Sequence, residues 1–186
     1  MGNVRGSALI PRIAYLKANH AEAWPAILAA LRPDTRETLE LNPLATGWYP
    51  FEQFVDLIET ADRLAGAGDL SLVRKLGHHA ATANLSTFLR IFIRFGSPEF
   101  VFGKAARLWS MHHDTGRAET EATPQGKGSI AFQVFEFGTP HQALCVTLEG
   151  WVYACLEAGG AKSIVVREVK CRLKGDDRCR YEGTWR

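Results

Sequence analysis

Hydrophobic residues recur every three or four positions through most of the first two thirds of the chain, which is the spacing of amphipathic helices. The runs with this spacing are Ile10 to Leu31, Phe51 to Leu64, Leu72 to Phe95 and Phe100 to Trp109. Turn or cap signals separate the runs at Pro33-Asp34, Asn42-Pro43 and Gly66 to Gly68. Ser97-Pro98-Glu99 supplies an N-cap, a proline at the first helical position and an early acid, so a helix is predicted from Pro98 to about Ser110.

The pattern changes to strands and turns from His112 onward. A turn-rich stretch, Thr123 to Gly128, precedes a strand-like segment from Ser129 to Phe137, which predicts a hairpin. Pro140 opens a helix that ends at Gly159-Gly160. A last predicted strand carries apolar residues on one face and basic residues on the other, namely Val169, Cys171 and Leu173 against Lys170, Arg172 and Lys174.

This order of elements predicts an α+β fold, in which the helical N-terminal two thirds pack on an antiparallel sheet of two hairpins with a helix between them. The length of 186 residues fits a single domain, 1–186. Its helical part is expected at about 8–110 and its sheet-containing part at about 111–186.

Composition narrows the partners and the location. The formal net charge of +2 gives no concentrated basic field, so no nucleic acid partner is expected. No apolar run approaches the roughly 18 residues of a membrane span. The N-terminus also lacks the apolar stretch of a signal peptide, so a cytoplasmic location is expected.

Two cysteines near the C-terminus are the main candidates for chemistry. Cys171 and Cys179 are equidistant from Gly175, so a hairpin about that glycine would place their Cβ atoms roughly 4.5 to 5.5 Å apart. Shared metal ligation, a disulfide and plain core thiols all suit that arrangement. Glu168 would point to the opposite face of a regular strand, and could join a metal site only if the strand bulges before Cys171.

The same residues form a motif that resembles a known signature, Glu168-x-x-Cys171-x-x-x-Gly175-Asp176-x-x-Cys179-x-Tyr181. It is similar to the motif of the 4-vinyl-reductase domain family, whose relatives include the sensory domains of phenol-responsive activators and, more remotely, vesicle-tethering transport subunits and haem nitric-oxide-binding domains. Further stretches resemble an uncharacterised bacterial family expanded in myxobacteria: Trp48-Tyr-Pro50, Ser97-Pro98, Leu108-Trp109, Asp114-Thr-Gly-Arg117 and Gly159-Gly-Ala-Lys162. The resemblance implies an NO-signalling and Golgi-transport ligand-binding fold.

The phenol sensors hold a zinc ion with a cysteine of the preceding helix and with the glutamate and two cysteines of the motif. The resemblance therefore implies a structural zinc site here, with the ligands Cys145, Glu168, Cys171 and Cys179. The tryptophan that holds phenol in those sensors has no counterpart around Thr123 to Gly128, so phenol is not expected. The Tyr-x-Ser-x-Arg triplet of the haem-binding relatives is also missing, so no haem is expected.

Motifs for catalysis are missing from the sequence, so no catalytic residues are assigned and an enzyme is not expected. The pairs His78-His79 and His112-His113 have no convergent third ligand and are interpreted as helix-surface or pocket-lining residues. The expected function is a non-enzymatic sensory domain that binds a small hydrophobic or aromatic ligand, whose contact residues the sequence leaves unknown. It would signal through a separate output protein. The alternative is a protein-interaction or dimerisation module, forming a homodimer without a small-molecule ligand.

Overall fold

Helices form most of the first half of the computed structural model. The structure describes residues 2–93, 100, 107–123, 126 and 128–186, and the side chains of all of these except 85–93. The helices are α1 (Gly6–Asn19), α2 (Trp24–Ala30), α3 (Pro33–Glu40), α4 (Phe51–Ala65) and α5 (Ser71–Ile93), and residues 107–112 form a further helical segment, α6. The helix predicted from Pro98 to about Ser110 lies mostly outside the described residues.

Two prolines begin helices that the hydrophobic pattern did not separate. The run predicted from Ile10 to Leu31 divides into α1 and α2, and α2 has Pro25 in its first turn. Pro33, which the sequence predicts as part of a turn or cap signal, is the first residue of α3. A proline is well suited to that position because its missing N–H would have no partner there and its φ is already close to helical.

The second half of the chain contains a four-stranded antiparallel sheet. Two short strands, β1 (Asn3–Arg5) and β2 (Trp48–Pro50), first pair as a separate ribbon that the sequence did not predict. The sheet then has the order β3-β4-β6-β5, built from β3 (Arg117–Ala122), β4 (Ser129–Phe135), β5 (Val165–Lys170) and β6 (Arg178–Thr184). Helix α7 (Gln142–Ala158) connects the two hairpins. The α+β fold class is confirmed.

Strand β5 is shorter than predicted, and its two faces are not those predicted. The pairing with β6 shifts register between Glu168 and Lys170, and the residues from Arg172 to Lys174 form a 3-10 turn. Val169 and Leu173 are therefore 48% and 49% exposed, while Cys171 is buried. The predicted common apolar face of these three residues is wrong, because a bulge and a 3-10 turn both break the two-residue period.

Helices α5 and α7 cross at two glycines, and this crossing holds the helical layer against the sheet. A Cβ atom at Gly77 would overlap the backbone oxygen of Thr147, and a Cβ atom at Gly150 would overlap that of Arg74. The buried residues of the helices and of the inner sheet face form one continuous core. Within the described part of the chain, every helix is too short or too polar to traverse a lipid bilayer.

Candidate metal centre and ligand cavity

Four side chains meet at the start of α7 and the end of the β5–β6 hairpin. They are Cys145, Glu168, Cys171 and Cys179, and one potential ligand atom from each lies within 4.8 Å of all the others. The Sγ atoms of Cys145 and Cys171 are 3.7 Å apart. Two thiolates on one tetrahedral zinc, each with a Zn–S bond of about 2.3 Å, would stand about 3.8 Å apart. The spacing of the cluster thus fits a tetrahedral metal ion.

The bulge in β5 places Glu168 in this cluster. Glu168 pairs with Tyr181 of β6, whereas Lys170 pairs with Arg180. Directly opposed residues in a ladder point to the same side of the sheet, so Glu168 shares the buried side with Tyr181 and Lys170 shares the other side with Arg180. Without the register shift, Glu168 and Cys171 would point to opposite sides.

The turn after β5 orients the cysteines through backbone hydrogen bonds. The amide N–H of Cys171 donates to Oδ2 of Asp176 at 2.7 Å, and the amide N–H of Arg172 donates to Sγ of Cys179 at 3.5 Å. Gly175 has a φ of 93°, a left-handed conformation that a residue with a side chain rarely adopts. This turn therefore explains Gly175 and Asp176 of the motif, because both keep the two cysteines on one side of the hairpin.

Burial and contacts between the thiols shift the pKa values of the three cysteines of the cluster. Cys179 accepts a hydrogen bond from Cys145, and this lowers the pKa of the Cys179 thiol to about 7. That bond, together with burial, raises the pKa of the Cys145 thiol, and burial also raises that of Cys171. A metal ion at this place would stabilise the thiolate forms of the cysteines against the cost of burial.

Two buried oxygen atoms beside the thiols have no hydrogen-bond partner among the described residues: Oε1 of Glu168 and the hydroxyl of Tyr181. A buried carboxylate oxygen without a hydrogen-bond partner, next to three thiols, fits the donor set of a metal ion. All four cysteines are free thiols in this structure. The fourth of them, Cys155, is fully buried in the middle of α7 and does not belong to the cluster.

A separate cavity lies between the helices and the inner face of the sheet. It offers about 510 Å³ of space between side chains, counting space open to solvent, of which about 50 Å³ can hold the centre of a water molecule. Its walls are mostly apolar and aromatic, with Trp109, Phe132 and Trp151 among them, and its polar lining includes Arg12, Asn84 and His112. Apolar walls with a few converging polar groups are typical of small-molecule sites.

The histidines of the two predicted pairs have different surroundings. His112 and His113 line the cavity, and Nδ1 of His112 is 3.0 Å from the Ser7 hydroxyl. Burial, aided by the charge of Arg12, lowers the pKa of His112 to about 4 and that of His113 to about 3, so both are neutral at pH 7. His78, in contrast, pairs with Glu157 at 2.9 Å on the surface.

Sequence reasoning missed Arg12, the one charged side chain in the described lining of this cavity. Its guanidinium is buried in the apolar face of α1, between Leu9, Ile13 and Leu16 along the helix. A single arginine inside an otherwise apolar helical stripe is the signal that would have identified it, because arginine is almost never fully buried without a partner.

Comparison with solved structures identifies the architecture. No protein-family model and no curated protein matches this chain. The H-NOX protein of Shewanella oneidensis in its Fe(II)NO state superposes on 98% of this chain and 99% of its own, with a TM-score of 0.72 and 14% identity. The unliganded Fe(II) H-NOX protein of K. algicida covers 98% of this chain and 96% of its own, with a TM-score of 0.71 and 8% identity.

This chain has the H-NOX fold. The likeness to haem NO-binding domains implied by the motif is thereby supported at the level of structure, although the identities are too low to show more than the fold. A further similar structure is described as modulating the redox potential of haem through protein-induced porphyrin distortion. It has a TM-score of 0.66 and 10% identity, and covers 97% of this chain and 99% of its own.

These neighbours correct one expectation from the sequence. The missing Tyr-x-Ser-x-Arg triplet led to the expectation of no haem, and that expectation is contradicted because the similar structures are haem-binding H-NOX domains. The cavity lined by the described residues, with about 50 Å³ open to the centre of a water molecule, does not fit a porphyrin in this conformation. Side chains would have to move to admit one.

Proposed function

We propose that this chain is a non-enzymatic sensory domain that holds a small hydrophobic or aromatic molecule between its helices and its sheet. The observation that carries the proposal is the aromatic-walled cavity, which lies inside a fold whose similar structures are ligand-binding H-NOX domains. Its polar groups are few, as is typical of sites where such groups orient a ligand.

The proposal includes a structural zinc ion held by Cys145, Glu168, Cys171 and Cys179. Three thiolates and one carboxylate would complete a closed tetrahedral shell, with no position open for a substrate. The ion would join the first turn of α7 to the β5–β6 hairpin. It would then fix one wall of the domain without taking part in chemistry, and the zinc-containing sensory domains that the motif resembles support this role.

The ligand can be detected in the purified protein. We expect denaturing extraction and mass spectrometry to release a small apolar or aromatic molecule, with absorption spectroscopy reporting a porphyrin if one is present. Ala80→Leu fills the cavity from α5, since Ala80 is one of its lining residues, so this variant should lose the molecule. Leu148→Ala, which enlarges the same cavity, should retain or increase it.

The outcomes separate the two expected functions. If neither variant changes what is extracted, and no aromatic compound raises the melting temperature of the wild type, the sensory proposal fails. The alternative, a dimerisation module, is favoured by one feature: β5 is an edge strand on which Val165 and Val169 are 46% and 48% exposed. It predicts a dimer by analytical ultracentrifugation that Val169→Lys dissociates.

A further inference from the structure

Arg12 is a buried charge without a counter-charge among the described residues. It is 5% exposed, and no described carboxylate forms an ion pair with it. One terminal nitrogen donates to the backbone oxygen of Ala8 at 2.6 Å, and the other donates to the Thr147 hydroxyl at 3.0 Å. Its Nε is buried and has no hydrogen-bond partner among the residues that the structure describes. A guanidinium has five N–H donors, so most of its hydrogen-bonding capacity is unused.

The apolar surroundings make this arrangement costly for the fold alone. Burial lowers the pKa of Arg12 to about 9, so the group still carries its charge at neutral pH. The ring of Phe54 also lies against this charge, with the guanidinium carbon 4.7 Å from the ring centre. Burying a charge without a counter-charge destabilises a protein, whereas an apolar side chain of the same size would not. A ligand that carries acceptor atoms would offset this cost by pairing with the buried guanidinium.

The position of Arg12 indicates what that partner is. Arg12 lines the same cavity as Trp109, Phe132 and Trp151. The indole N–H of Trp109 is already bonded to the backbone oxygen of Thr115 at 3.0 Å, so this side chain offers a ligand only its apolar surface. Phe132 and Trp151 pack with ring centres 5.6 Å apart. The described lining of the cavity therefore combines aromatic walls with one buried cation, the guanidinium of Arg12, which has unused N–H donors.

We propose that Arg12 binds the carboxylate of a small aromatic acid whose ring occupies the cavity. This inference rests on the proposed function and names the class of its ligand. Arginine recognises a carboxylate through two parallel N–H···O bonds, and such bonds are strongest where water is excluded. The neutral His112 and His113 leave Arg12 as the sole positive charge in the described lining, so an anion is favoured over a neutral molecule of the same shape.

The test compares probes that differ in one feature. Benzoate and phenylacetate carry both ring and carboxylate, benzyl alcohol carries the ring with a neutral hydroxyl group, and acetate carries only the carboxylate. Binding is measured by calorimetry and by the fluorescence of the cavity tryptophans in the full chain. We expect the two aromatic acids to bind more tightly than benzyl alcohol, and acetate to bind too weakly to detect.

Variants assign the difference to Arg12. Arg12→Met removes the charge at similar volume, and should weaken benzoate binding about 10- to 100-fold, a much larger loss than for the neutral benzyl alcohol. Arg63→Met, at an exposed position of α4, is the matched control and should bind both probes as the wild type does. Arg12→Lys keeps the charge but lacks the planar guanidinium that can donate two parallel bonds to a carboxylate. Its benzoate affinity should lie between those of the wild type and Arg12→Met, and it replaces Arg12→Met in the test if that variant does not fold.

Each contrary result is distinct. If wild type binds benzoate and benzyl alcohol equally, or if Arg12→Met keeps its benzoate affinity, the role of Arg12 is overturned while the ligand-binding function stands. Porphyrins also carry carboxylates on an aromatic system, so haemin is titrated separately by absorption. Binding of haemin without binding of any small aromatic acid would overturn the inference. If no ring-bearing probe binds at all, the inference and the proposed function fail together.

Discussion

Glu168 lies directly opposite Tyr181 in the β5–β6 ladder, and its side chain therefore points to the buried side of the sheet. Two residues further along, the register shift moves Lys170 opposite Arg180, on the other side. The next residue, Cys171, is buried again. One bulge thus turns a spacing of three residues, which a regular strand would split between its faces, into a shared face for a carboxylate and a thiol.

Removing the charge of this carboxylate tests whether it is a ligand. We expect Glu168→Gln to weaken zinc binding by at least about tenfold, because an amide is a poorer zinc ligand than a carboxylate. Affinity is measured by competition with a chromophoric chelator. Glu182→Gln is the control, since Glu182 lies on β6 with its side chain bonded to Arg180 at 3.1 Å. Equal zinc affinity in the two variants would remove Glu168 from the site.

Two buried cysteines of α7 provide a matched pair for the thiol ligands. Cys145 belongs to the cluster, whereas Cys155 packs in the core, where burial raises the pKa of its thiol. We expect Cys145→Ser to purify with less than one zinc per chain and a lower melting temperature, because metal binding is folding free energy. Cys155→Ser should keep one zinc per chain by elemental analysis. A wild type that contains no metal and four titratable thiols would contradict the zinc proposal outright.

Much of the fold could be predicted from periodicity. The equal distances of Cys171 and Cys179 from Gly175 predict a hairpin around that glycine, and the structure has Gly175 at a positive φ. The end of the helix before it was indicated by Gly159-Gly160, and α7 ends at Ala158. In both places a short-range rule and the long-range packing require the same conformation, so local reasoning sufficed.

What escaped prediction depends on contacts between distant parts of the chain. The bulge at Val169 has no local sequence signal, because it is set by how β6 pairs with β5. The importance of Arg12 likewise follows from Thr147 and Trp109, which the sequence separates from it by most of the chain. The β1–β2 ribbon is too short for any period to be recognised. Periodicity reports which side of an element is buried, but not against what.

The crossing of α5 and α7 leads to a stability prediction. Gly77→Ala should destabilise the protein by about 1 to 3 kcal/mol, because the new methyl group would meet the backbone oxygen of Thr147, which cannot move aside without shifting the helix. Chemical unfolding in urea gives the change. Gly138→Ala is the control, since a Cβ atom there meets nothing within 4 Å, and it should change stability by less than about 0.5 kcal/mol. Similar losses in both variants would refute a close helix contact.

The neutral histidines of the cavity predict how stability depends on pH. Burial lowers the pKa of His112 to about 4 and that of His113 to about 3, below the ordinary value of about 6.5. On acidification the unfolded chain therefore binds protons before the folded protein does. The contribution of the two neutral histidines to the free energy of unfolding is complete above about pH 6.5. It is lost progressively as the pH falls toward 4 and then 3.

The size of this effect can be isolated with variants that do not titrate. As the pH falls from 7 to 5, each histidine should lower the free energy of unfolding by about 2 kcal/mol, because one pKa unit corresponds to about 1.4 kcal/mol. The double variant His112→Gln/His113→Gln should therefore lose about 4 kcal/mol less than wild type over that range, whatever its stability at pH 7. His20→Gln, at the end of α1 and outside the cavity lining, is the control and should follow the wild type. Parallel curves for the double variant and the wild type, measured by urea unfolding at each pH, would show that the cavity admits water and protons freely. A cavity that keeps water away from these two histidines would then no longer describe this site.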